Sequence, residues 1–322
     1  MNHGQKNVPA RAWRSSAARG VRSPRTGFVH ANPRGLCSRW FGRHDGTAAG
    51  GRVAAASQSH CFVENRPGAS GRLVPEQLAS AAPDGQTLMI VPHGPMALFP
   101  SLYSKLRYDA VRSFTPIARL STFDYALIAH PSLDAPNAQA LKRWLQNAGA
   151  KASYGSPGAG TVPHFLGVSV ARSLNVTMPH VPYRGGAPAM VDLVGGVIPL
   201  VISPMADAAE LARAGKVKFL ATSGPRRNVA TPGVPTFKEY GIDVEMVGWF
   251  GLYGPAGLSS SQVNSLQQAV GSVLAEPALR ERLARVNLDA AASTPVELAS
   301  LQQRESAYWP AVVKASGFTP ED

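Results

Sequence analysis

A chain of 322 residues with 44% apolar content is long enough for one large or two modest α/β domains with a real core. Its net charge of +12 is uneven: residues 1–62 carry Lys6 and nine arginines against one acid, Asp45, while the rest of the chain is nearly neutral. That confinement argues against a nucleic-acid binder, and the longest uncharged apolar run, Leu193 to Ala206, is too short and too proline-broken (Pro199, Pro204) to span a bilayer.

Residues 1–62 have basic residues but no apolar stretch of the kind a secretory signal needs. Their composition predicts an irregular basic tail. Both cysteines, Cys37 and Cys61, lie there, and neither stands in a metal-ligand spacing. The texture changes at Val63. Glu64 to Gly68 reads as a turn, Leu73 to Ala81 as a short helix, Pro83-Asp-Gly85 as a second turn, and Thr87 to Val91 as a buried strand that ends in a His93-Gly94-Pro95 loop. Ala126 to Ala129 is a strand. Leu141, Trp144 and Leu145 form the apolar stripe of a helix that Gly149 stops. Then come a strand at 152–154, a glycine loop, and a helix over 162–174. The strand Val176 to Val181 ends at Pro182-Tyr183-Arg184-Gly185-Gly186, and Ala187 to Val194 is a helix. Ile198 to Ile202 and Val217 to Ala221 are strands on either side of a helix over 206–214. This alternation predicts parallel βαβ units, with ligands outside the carboxyl ends of the strands. The last part is helical. Val263, Leu266, Val270 and Val273 keep helical spacing, and Thr294-Pro295-Val296-Glu297 is a capping box opening a long helix through Trp309.

Tyr154-Gly-Ser-Pro-Gly-Ala-Gly-Thr161-Val-Pro-His164 carries the chemistry. A strand, a glycine loop and a helix N-terminus together present unpaired amides to an anion. Gly155, Gly158 and Gly160 let the main chain approach a ligand, and Ser156 and Thr161 offer hydroxyls. The same pattern is also common as a plain turn before a helix. An α/β hydrolase using Ser156 and His164 is the enzymatic alternative. No Gly-x-Ser-x-Gly elbow exists, however, and Pro157 leaves no oxyanion N–H after Ser156. Gly158-Ala-Gly160 lacks the third glycine of a dinucleotide fingerprint. The reading is a binding protein and not an enzyme, with no cofactor and no metal.

Six phrases then occur in order: Val63 to Ser70, Pro83 to Leu88, Tyr154 to His164, His180 to Gly185, Ala214 to Val217 and Gly248 to Leu252. Over about 63–322 the chain resembles the Bug-type substrate-binding proteins, the TctC-like receptors of tripartite tricarboxylate transporters. The resemblance implies an α/β, two-lobe periplasmic-binding-protein-like (type II) fold with a ligand cleft between the lobes. It implies a periplasmic, monomeric receptor that passes a small carboxylate to the membrane subunits of the transporter. Carried over by position, the ligand-binding residues are Ser156, Gly158, Gly160, Thr161 and His164 in one loop, Tyr183, Arg184 and Gly185 in its partner, and His93 and Gly94 in the first lobe. For His164, capping or packing the turn is the alternative to touching ligand; for Arg184 it is bridging to a neighbouring acid. Two extended crossings, near Tyr125 and Val247, divide the chain into lobe one (63–124 with 248–322) and lobe two (125–247).

Two departures stand out. Many relatives have an aspartate where this chain has Ser203, which leaves one fewer acid near the cleft. The strand, Pro-Gly-Gly loop and helix expected at the start of lobe one are also absent. Read one base out of register from Arg39 onward, residues up to 62 can yield a Gly-Gly-Ser-Gly loop and an amphipathic helix of the family type. This implies a frameshifted segment, a true basic tail being the alternative, and leaves open a degenerate receptor that no longer binds.

Overall fold

The computed structural model describes residues 27–30, 62–66, 71–149 and 152–319. Both cysteines and most of the basic segment lie outside the described residues. In chain order the elements are β1 (Gly27–His30), β2 (Phe62–Asn65), α1 (Leu73–Leu78), β3 (Thr87–Pro92), β4 (Phe114–Ala129), α2 (Ala138–Asn147), β5 (Tyr154–Ser156), α3 (Val162–Leu174), β6 (His180–Pro182) and α4 (Gly186–Val194). They continue with β7 (Leu200–Pro204), α5 (Ala209–Arg213), β8 (Lys218–Thr222), α6 (Phe237–Tyr240), β9 (Val247–Pro255), α7 (Ser260–Ala275), α8 (Pro277–Arg285), β10 (Asp289–Ala290) and α9 (Pro295–Ser316). A π-helical turn, Gly94–Leu98, follows β3 where a plain loop was expected at 93–95.

The strands form an open sheet in the order β2-β1-β3-β9-β4-β7-β5-β6, with β8 and β10 also paired to β4. β4 joins its two halves. From Phe114 to Asp124 it pairs with β9, and from Tyr125 to Ala129 with β7 and β8. The expected strand at 126–129 is therefore only the end of a 16-residue strand. Pro116 and Arg119 obscure its first part, and the ladder shifts register beside each of them. Bulges let proline and charge sit in a strand that would otherwise exclude them.

The expectation of parallel βαβ units holds for part of the sheet and needs correction elsewhere. Among the described strand pairs only β5–β6 and β5–β7 are parallel; β3, β4 and β9 pair antiparallel, as do β7 and β8 with β4. Apolar strand runs report burial on both faces, not direction. β4 and β9 cross between the halves in opposite senses, so they meet antiparallel. The basic segment also holds a strand where none was expected. Gly27–His30 pairs antiparallel with both β2 and β3. Four β-compatible residues suffice, because their backbone groups find ladder partners on each side.

Burial follows the pleat. In the end of β4, Leu127 and Ala129 face the core beneath α2 and α3, and Ala126 and Ile128 face the layer that includes Met190 and Leu193 of α4. α9 opens on the expected cap: Thr294 Oγ1 accepts from Glu297 N–H at 3.2 Å, and Thr294 N–H donates to Glu297 Oε2 at 2.8 Å. Further along, Trp309 is 1% exposed and packs on Phe165 of α3, so the last helix ties the two halves together.

Candidate functional site

β5 delivers Ser156 to the glycine loop, and α3 starts at Val162. Tyr154 anchors the turn from beneath. It is fully buried, its hydroxyl donates to the His164 carbonyl at 2.7 Å, and its ring fills the space beside Gly167 that any side chain there would need. Gly160 has φ +67°, a left-handed conformation that favours glycine. Thr161 is the N-cap of α3, but its hydroxyl donates back to the Gly158 carbonyl at 2.7 Å.

Two histidines brace the loop from inside. Gly160 N–H donates to His164 Nδ1 at 3.2 Å, which places the His164 proton on Nε2. The His164 ring stacks on His180, 3.9 Å between centroids, and His180 Nε2 lies 2.7 Å from Ser156 Oγ. Burial pushes His164 down to about 4; burial and then the neighbouring His164 push His180 down to about 3. Both rings are neutral near pH 7. His164 therefore caps and packs the turn. The Ser–His pair also differs from the one the hydrolase reading required: Ser156 meets His180, and its oxygen is fully buried and shared with Gly158 N–H at 3.3 Å.

The second loop is stitched to the first. Tyr183 N–H donates to the Ser156 carbonyl and Gly185 N–H to the Pro157 carbonyl, each at 2.9 Å. The helices α3 and α4 thus begin side by side at the carboxyl ends of β5 and β6, as the sequence led one to expect. The Tyr183 ring covers Gly155, and its hydroxyl donates to Asp192 Oδ2 at 2.9 Å. Desolvation, then the Asp192 bond, pushes this phenol up to about 12. Gly185, the N-cap of α4, has φ +108°. Arg184 is exposed, as its alternative reading had it, and forms no ion pair among the described residues.

Ser203, the position at which many relatives have an aspartate, meets an acid four residues on. Ser203 Oγ donates to Asp207 Oδ2, and that carboxylate lies where a side chain on Gly186 would be. An internal carboxylate thus faces the first residue of α4, where the helix dipole favours negative charge.

From the first half of the sheet, Gly94 abuts Val162 at the start of α3: a side chain on Gly94 would touch Val162 Cγ2 at 3.9 Å. His93 is completely buried and turned away from the loop. Its Nδ1 meets Glu305 Oε2 at 2.8 Å and its Nε2 meets Tyr125 Oη at 2.7 Å, while Trp249 Nε1–H donates to Glu305 Oε1 at 2.8 Å. This chain links α9, β9 and β4 where β4 changes partners. Burial, then the Glu305 charge, raises the Tyr125 phenol far above its ordinary value.

Sequence reasoning missed these partners. His93 and Glu305 are 212 residues apart, and nothing local pairs them. It also missed Arg72, Tyr103 and Phe318. The Tyr103 hydroxyl and the Phe318 ring stand 3.4 and 3.5 Å from the place a side chain on Gly160 would take.

This geometry has close counterparts. A protein from Cupriavidus necator, "UPF0065 protein in gbd 5'region", is 32% identical over 71% of this chain and 69% of its own length. BugT of Bordetella pertussis is 26% identical over 79% of each chain. Among solved structures, MatC from Rhodopseudomonas palustris with bound malate superposes with a TM-score of 0.70 at 30% identity, over 78% of this chain and 86% of that one. An R. palustris protein with adipate gives 0.75 at 26%, and the periplasmic binding protein BugD 0.73 at 28%, each over 80% of this chain and 87% of the other. The description "Tripartite tricarboxylate transporter family receptor" matches residues 50–318, and the chain belongs to that family of Bug-type substrate-binding proteins.

Proposed function

We propose that this chain is a solute receptor that takes up a small organic carboxylate and presents it to the membrane subunits of a tripartite tricarboxylate transporter. The observation that carries the reading is the pair of stitched loops: the N-termini of two helices start side by side at the ends of parallel strands, in a frame fixed by the loops' own hydrogen bonds. Related structures hold malate and adipate, both dicarboxylates. The role is binding and not catalysis. Ser156 is buried against a histidine too weakly basic to activate it, and Pro157 supplies no amide for an oxyanion.

In this reading the ligand lies against the Gly158–Gly160–Thr161 loop at the first turn of α3, the Gly158 and Gly160 amides being used to hold the loop itself on Ser156 Oγ and His164 Nδ1, and Tyr183, Arg184 and Gly185 flank the ligand. Gly94 closes the opposite wall. His164, Ser156 and His93 hold these groups in place. Lobe one comprises 63–124 with 248–322 and lobe two 125–247; the partner change of β4 after Asp124 supports that division. Residues 1–62 precede the lobes and contribute β1. The receptor works as a monomer in the periplasm. Differential scanning fluorimetry and calorimetry with a panel of mono-, di- and tricarboxylates test the reading: at least one should raise Tm and bind at a single site. Failure of every member would refute it.

A further inference from the structure

Arg184 is the only cation among the loop groups described so far, and the Asp207 and Asp192 carboxylates stand beside the second loop, yet a carboxylate ligand is an anion. The first half of the molecule brings a second cation, Arg72, to the glycine loop through Tyr103. Arg72, the residue before α1, is half-buried, and its guanidinium sits over the Tyr103 ring, 4.1 Å from carbon to centroid. Its Nε is buried and has no hydrogen-bond partner among the described residues. Glu76, one turn along, forms no ion pair with it. The hydroxyl of the same Tyr103 ring stands 3.4 Å from where a side chain on Gly160 would lie. Tyr103 therefore bridges the two, touching Arg72 with its ring and the loop that opens α3 with its hydroxyl.

A buried donor without a partner is costly, more so when it belongs to a charged group. A protein keeps such a group where something completes it. Contact with Tyr103 holds the guanidinium in place, and a guanidinium is the group that can grip a carboxylate with two parallel bonds.

We propose that Arg72 is the specificity-determining cation of the ligand site: it binds a second carboxylate of a ligand whose first carboxylate rests on the glycine loop, so that the receptor selects dicarboxylates over monocarboxylates of equal length. This rests on the receptor reading and deepens it.

The test is calorimetry on the full chain with matched pairs, succinate against butyrate and adipate against hexanoate, in wild type, Arg72→Gln, Arg72→Lys and, as a charge control elsewhere, Arg143→Gln on α2. Wild type should favour a diacid over its matched monoacid by at least tenfold. Arg72→Gln should weaken the diacid about tenfold or more, about 1.4 kcal/mol, change the monoacid by less than twofold, and flatten the salt dependence. Arg72→Lys keeps the charge without the planar fork and should fall between the two, which also covers the case in which the glutamine variant fails to fold. Arg143→Gln should match wild type. Undiminished diacid preference in both Arg72 variants would overturn the proposal and leave the receptor reading standing. A wild-type chain that binds no member of the panel would overturn both.

Discussion

The stacked histidines beneath the glycine loop predict a stability that falls in mild acid. In the folded protein both resist protonation until about pH 4 and 3, whereas an unfolded histidine titrates near 6.5. Below pH 6.5 the unfolded chain therefore gains protons the folded chain cannot take, and stability is lost as pH falls from 6.5 toward 4. Between pH 7 and 5 each ring would contribute about 2 kcal/mol at most by linkage. The rings are partly reached by solvent and titrate against each other, so about 2 kcal/mol for the pair is the working figure. The variants His164→Asn and His180→Gln isolate this term. Asparagine can place an oxygen near the Nδ1 position and keep the Gly160 N–H bonded, and glutamine can reach Ser156 as Nε2 does. Urea unfolding at pH 7.0 and 5.0, in wild type and the double variant, reads the difference. The double variant should lose about 2 kcal/mol less than wild type across that interval. An unchanged acid loss would show that the pair is not what titrates, and the brace described above would need another explanation.

Three further substitutions probe the frame of the site. Gly167→Ala would overlap the buried Tyr154 ring and should destabilise by about 2–4 kcal/mol despite alanine's better helix propensity, read by denaturant midpoint. Glu305→Ala strands the Trp249 N–H and His93 together and should cost about 2–5 kcal/mol, with Glu305→Gln recovering most of it in the same assay. Arg184→Ala should weaken carboxylate binding less than threefold by calorimetry, because an exposed charge is screened by water.

How much was legible depended on sequence distance. The glycine loop, the partner loop and the Thr294 cap are local, and their spacing alone put them on the right elements. The His164 alternative of capping the turn was readable for the same reason, since one helical turn separates it from Gly160. β4 was half hidden because Pro116 and Arg119 interrupt its pattern and are accommodated only by bulges against β9. Strand direction was misjudged because burial on both faces looks the same in either sense. The neighbourhood of Arg72 and Asp207 was invisible in the sequence. It arises only from a fold that brings Tyr103 to Gly160, beneath Arg72, and the end of β7 to the start of α4.

The position of β9 has a consequence for how the chain is made. It lies between β3 and β4, yet it is synthesised more than a hundred residues after either begins. Until residues 247–255 leave the ribosome, β3 and β4 each present an open edge toward a partner that does not yet exist. Unpaired edges of apolar strands recruit other chains. Closing this gap also demands contacts of long sequence separation, which form slowly. A nascent chain arrested before residue 247 should therefore aggregate unless a chaperone covers it. A circular permutant that begins at Val247 would instead lay down the central strand first, and should fold faster with the same final sheet.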